Sequence, residues 1–100
     1  MVIVGGRFEV DPEQREAFLA GRMEAMRASR AEAGCLEYTF SADPIEPGRV
    51  VLFERWESQE ALDAHLAAQQ TRPVGSPPAV APISVSVVAY DVAGERTLRS

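Results

Sequence analysis

Histidine is the residue type that titrates between pH 5 and 8, and this chain has one, His65. It could orient a phenol or take its proton. The bland alternative is a helix histidine hydrogen-bonded for structure. Glu54 and Trp56 are two residues apart on a run that reads as a strand, so they share a face. They could line a pocket, with the indole packing on an aromatic ligand and the carboxylate holding a polar group. Equally, Trp56 could be ordinary core and Glu54 could pair with Arg7 or Arg55. Tyr38 could bring a hydroxyl into the same chamber or pack as core. Other chemistries find less support. A zinc site needs several His or Cys ligands, and one His and one Cys do not supply them. No GxSxG or HExxH appears, and nothing marks a serine nucleophile for a triad built on His65. Gly5 and Gly6 are adjacent, but no GxGxxG or GK[ST] follows, so they read as a bulge or a close backbone approach.

The elements that must position these residues follow from periodicity. Residues 2–10 alternate as a strand with Val2, Val4, Phe8 and Val10 in phase. Asp11 is placed to cap a helix, with Pro12 at its first position and Gln14 at capping-box spacing. Phe18, Leu19, Met23 and Met26 form its apolar stripe, and Gly34 suits its left-handed stop. Residues 35–42 alternate with Leu36, Tyr38 and Phe40 on one side. The Asp43-Pro44 and Pro47-Gly48 pairs mark a turn into a returning strand, 49–57. Ser58 caps a second helix over about 58–70 that carries Leu62, His65 and Leu66. The run Glu57–Glu60 suits the positive end of its dipole. Prolines 73, 77, 78 and 82 exclude a regular helix over 71–82. Residues 83–92 form a last strand. Residues 1–93 thus make one domain with a polar tail, 94–100. The order strand, helix, strand, strand, helix, strand implies an α+β, ferredoxin-like βαββαβ unit with a four-stranded antiparallel sheet and both helices on one face.

The third strand is apolar on both sides at its start: Val50 and Leu52 on one, Val51 and Phe53 on the other. Two helices cover one face, so the simplest cover for the other is a second copy of the chain. The expected functional chamber then lies between sheet and partner. A net charge of −5, pI ≈ 4.8 and the absence of Lys argue against a nucleic-acid partner. No apolar run approaches the roughly 18 residues of a membrane span, and no basic-then-apolar start marks a signal peptide. A lone Cys35 forms no internal disulfide and fits a reduced, cytoplasmic setting.

Two segments resemble a known family. Glu32-Ala33-Gly34-Cys35-Leu36-Glu37-Tyr38 resembles the "E-x-G-C-x-x-Y" segment of antibiotic biosynthesis monooxygenase domains. Phe53 to His65 resembles that family's "E-x-W-x-S-x-E-A-L-x-x-H" block. The blocks are in the family's order, and the likeness covers roughly residues 2–92. The resemblance implies a dimeric α+β barrel in which two sheets face each other. It also implies a cofactor-independent monooxygenase that oxidises a small phenolic, quinol or polyketide-like aromatic substrate with O2, without metal or flavin. Glu54, Trp56 and His65 match the second block and Tyr38 the first. On that basis His65 and Glu54 are the expected catalytic pair, with Trp56 and Tyr38 holding the substrate ring. Many quinol-oxidising relatives carry a second His followed by Phe where this chain has Gln70 and Thr71. The lack of a second His argues against haem degradation. The competing expectations are a non-catalytic dimeric binder of a small hydrophobic metabolite and a purely structural dimer.

Overall fold

A computed structural model describes residues 1–71 and 80–100, with Thr71 described for backbone only. Strand β1 (Val2–Glu9) leads through a 3-10 turn (Pro12–Gln14) into helices α1 (Arg15–Ala20) and α2 (Met23–Arg30). Strands β2 (Cys35–Ala42) and β3 (Arg49–Trp56), helix α3 (Gln59–Thr71) and strand β4 (Ser84–Asp91) follow. The sheet is antiparallel in the order β2-β3-β1-β4. This is the expected ferredoxin-like α+β arrangement. Most of the segment expected to be a proline-rich loop, 72–79, lies outside the described residues. Thr71, expected to begin it, closes α3 instead.

The register explains which side chains go inward. Val2 pairs with Trp56, Val4 with Glu54 and Phe8 with Val50, and these all point to the helix-covered face. Their neighbours Val51 and Phe53 point the other way and are exposed. Phe8, Phe18 and Phe40 meet on the covered side with ring centroids 5.5–6.4 Å apart, and Tyr38 extends the chain at 5.9 Å from Phe40. Aromatic contacts at these spacings and tilts are favourable beyond the area they bury.

Three local departures correct the sequence expectation. The first helix is not continuous. It breaks at Gly21–Arg22, where the Gly21 amide bonds the Ala17 carbonyl and the Arg22 amide the Leu19 carbonyl, before α2 restarts with Arg22 as N-cap. A glycine there is the weakest helix former in the segment. After the break Met26 stays buried, but Met23 is exposed. The Asp11 side chain caps the amide of Glu13 at 3.0 Å, not that of Gln14. Third, a register shift between Cys35 and Glu37 turns Leu36 outward, so it does not share a face with Tyr38 and Phe40. A bulge of this kind inserts one residue and reverses the phase before it. Ser58 does cap α3, accepting from the Ala61 amide at 3.1 Å.

Gly34 fixes how α3 meets β2. Its φ of +82° is left-handed, and a Cβ there would lie 2.5 Å from the Ala61 Cβ. Only glycine accommodates both conditions. Its carbonyl accepts from the Glu57 amide at 2.8 Å, which ties the end of β3 to the turn before β2. Among the described residues, no helix is long and apolar enough to cross a membrane.

Candidate active site

Inward alternation of β3 places Leu52, Glu54 and Trp56 under α3, and the helical spacing of Leu62 and His65 points both back at them. The result is a row of polar groups inside an apolar layer. Trp56 and His65 are almost wholly buried (0% and 1% exposed), and Glu54 is 5% exposed. The Trp56 indole donates to a Glu54 carboxylate oxygen at 2.9 Å. That same oxygen lies 4.0 Å from His65 Nε2. On its other side, His65 Nδ1 sits 3.1 Å from both carboxylate oxygens of Glu32, in the turn after α2. The imidazole is held between two rings, with its centroid 4.6 Å from Trp56 and 5.4 Å from Tyr38.

This arrangement assigns the proton. A carboxylate accepts, so Nδ1 carries a hydrogen and donates to Glu32, which turns Nε2 toward Glu54. A separation of 4.0 Å is too long for a hydrogen bond. It does let one oxygen atom between the two sit at about 2.8 Å from each. Burial pushes the Glu54 carboxyl above the ordinary carboxylate range, while the indole donation and a His65 charge oppose that rise.

A cavity of about 400 Å³ opens onto this row from the space between the sheet and its own helices. Glu54, His65 and Tyr38 form part of its wall, and Leu52, Leu62, Phe40 and Val87 supply apolar surface. Arg22, placed by the helix break, lines it as well, with its guanidinium 4.5 Å above the Phe18 ring. Gly6 leaves room for Leu52 and Val87 beneath it. A Cβ there would lie 2.9 Å from Leu52 and 3.3 Å from Val87, both of which line the cavity.

The structure brings all four singled-out residues together. Glu54, His65 and Tyr38 border the cavity. Trp56 is fully buried behind them and reaches the site through Glu54 and His65. The proposed pairing of Glu54 with Arg7 or Arg55 does not occur. Arg55 bonds Glu37 at 3.2 Å on the opposite face, as alternation requires. The chamber expected between sheet and partner is instead found between sheet and helices, because the covered face is the one that carries Glu54. Sequence reasoning missed Glu32 and Arg22. Glu32 stood in the first family-like segment without a role. The break that aims Arg22 was signalled only by Gly21. Among the described residues, no group of three or more His, Cys, Asp or Glu side chains gathers as a metal site.

Comparison with known proteins bears on this geometry. The family model described as antibiotic biosynthesis monooxygenase matches residues 1–72. The chain is 36% identical over 64 residues to "Uncharacterized protein sll1783" of Synechocystis, a match covering 64% of this chain and 44% of that protein. It therefore spans less than half of that relative's length. It is 31% identical over 65 residues to "Putative monooxygenase YcnE" of Bacillus subtilis, covering 65% of this chain and 68% of that one. A crystal structure named for a putative antibiotic biosynthesis monooxygenase from Deinococcus radiodurans superposes with a TM-score of 0.77 at 23% identity, over 100% of both chains, which shows the shared fold.

Proposed function

The chain belongs to the antibiotic biosynthesis monooxygenase family, and from that premise we propose that it is a cofactor-independent monooxygenase acting on a small phenolic, quinol or polyketide-like aromatic substrate with O2. The observation that carries this reading is the Glu32–His65–Glu54 row set into the wall of an otherwise largely apolar cavity.

Oxygenation without a cofactor requires an electron-rich anion. His65 Nε2 takes the proton of a phenol or of the activated CH2 of its keto tautomer, and Glu32 steadies the imidazolium that forms. The substrate anion passes one electron to O2, and the radical pair closes to a carbon-bound peroxide. His65 returns its proton to the distal oxygen. Loss of the remaining C–H proton and cleavage of the O–O bond then give a carbonyl and water. The sum is CH2 + O2 → C=O + H2O, so both reducing equivalents come from the substrate. Glu54 orients the substrate oxygen beside Nε2, Tyr38 holds the ring, and Trp56 fixes Glu54 from behind. The apolar wall keeps bulk water from the anion.

The exposed outer face of the sheet, with Val51, Phe53, Val88 and Tyr90 around a shallow groove, is the surface we assign to a second copy of the chain, so that two sheets face each other. The free thiol of Cys35 fits a cytoplasmic setting. The test is dioxygen uptake with a panel of hydroquinones and anthrones in metal-free buffer. Uptake by the wild type is expected, with kcat/KM lowered about 10²–10⁴-fold in His65→Ala. Unchanged kcat/KM removes His65 from the mechanism. Binding without uptake points instead to a metabolite binder.

A further inference from the structure

Arg22 differs from the bonded arginines packed on this fold, and from Arg7, which is also unbonded but lies exposed on the outer face of the sheet. Arg15, Arg27, Arg30, Arg49 and Arg55 each bond a carboxylate, a carbonyl or a hydroxyl. No hydrogen bond or ion pair engages the Arg22 guanidinium among the described residues, although it is half-buried and lines the cavity. Its support is aromatic. The guanidinium carbon stands 4.5 Å from the Phe18 centroid and 5.7 Å from that of Phe40. Such stacking offsets part of the cost of a partly desolvated cation and leaves its N–H donors unspent. Burial pulls its pKa below the usual guanidinium value, and the neighbouring Tyr38 works the other way. A guanidinium remains protonated under these influences.

Position matters as much as charge. Along the cavity wall the rings run from Phe40, beneath Arg22, to Tyr38 at 5.9 Å and on to His65 at 5.4 Å. On β2, Phe40 pairs with Leu52 and Tyr38 with Glu54, so the ring beneath Arg22 and the ring beside Glu54 and His65 stand two residues apart along one cavity wall. The arrangement suits a flat ligand with unlike ends. A carboxylate belongs at the Arg22 end, away from Glu54, where the planar fork of donors matches its two oxygens.

We propose that Arg22 is a substrate-binding residue and that the cavity takes an aromatic hydroxy acid, its carboxylate on the Arg22 guanidinium and its hydroxyl at the His65 end. The hydroxyl end rests on the function proposed above. The carboxylate end rests on the geometry of Arg22 alone.

Two probes of matched shape separate the ends: 6-hydroxy-2-naphthoate and its neutral methyl ester, titrated calorimetrically into the full chain at pH 7. Wild type is expected to bind the acid about tenfold more tightly than the ester, the order of one charge-assisted hydrogen-bonded pair. Arg22→Gln should remove that preference while keeping the ester's affinity, and Arg22→Lys should keep part of it. Thermal melting checks that each variant is folded. Equal affinity for acid and ester in wild type, no binding of either up to millimolar concentration, or an unchanged ratio in a folded Arg22→Gln overturns the proposal. Oxygen uptake, measured in parallel with 5-hydroxy-1-naphthoate and the two probes, keeps the two readings apart. Arg22-dependent acid binding with no uptake from any phenol retains the anion site and removes the monooxygenase. Uptake that ignores both the acid group and Arg22 does the reverse.

Discussion

The two faces of the sheet are both apolar, and they are apolar in different ways. The helix-covered face packs Val2, Val50, Leu52 and Phe40 out of water, yet it contains a buried carboxylate, a buried imidazole and a half-buried guanidinium. The outer face leaves Val51 and Phe53 at 38% exposure and Tyr90 at 57%, and its Arg55 pairs with Glu37 at the surface. Ionisable groups are costly to bury, so a fold that holds three of them around one cavity has reason to do so. Exposed apolar side chains carry a different message. On the reading proposed above, they mark the surface that a second copy of the chain covers. One face therefore points to chemistry and the other to assembly, and neither distinction can be drawn from hydropathy alone.

The comparison can be broken from either side. The largest effect is expected on the outer face. Phe53→Asp puts a charge in the middle of the exposed patch, and a dimer assembled there should become a monomer in sedimentation equilibrium. A variant that remains dimeric would move the interface elsewhere. On the covered face, Gly34→Ala imposes a left-handed alanine and a clash with Ala61. Denaturant unfolding should show a loss of roughly 2–4 kcal/mol. Because Gly34 lies two residues after Glu32, the Glu32–His65 contact is the first functional casualty. An unchanged midpoint would mean that α3 can shift without cost.

A smaller effect sharpens the contrast through pH. Burial raises the Glu54 carboxyl in the fold, so the folded chain binds that proton more tightly than the unfolded one. Its contribution to stability is therefore full below the ordinary carboxylate value and falls as pH rises through the raised one. Glu54→Gln does not titrate and keeps an oxygen to accept from the Trp56 indole. The melting temperature of the wild type should drop against this variant as pH rises from 4 to 7. A constant difference would show that Glu54 titrates normally in the fold.

Much of the frame was legible in the sequence. Alternation marked β2 at its observed bounds. Ser58 marked the start of α3, whereas Gly34, expected as the left-handed stop of the first helix, is left-handed in the turn before β2, three residues past the helix C-cap Ala31. Alternation also placed Glu54 and Trp56 on one face. It could not say which face the helices take, since Val50-Leu52 and Val51-Phe53 are equally apolar, and so the chamber was expected on the wrong side. The bulge at Leu36 was hidden because the residues around it still alternate in type. Glu32 and Arg22 were hidden for a deeper reason. Glu32 meets His65 across 33 residues of chain, and Arg22 reaches the cavity only after a helix break. Such meetings are made by tertiary packing, and no local period announces them.

The central claim is that His65 Nε2, aimed into the cavity by Glu32, removes a proton from an aromatic substrate. Anaerobic exchange of the C10 protons of anthrone in deuterium oxide, followed by NMR, measures that step without oxygen chemistry. The expected result is exchange accelerated well above the buffer rate by wild type and returned to it in His65→Ala. Equal acceleration by both proteins, or none by either, would contradict the claim.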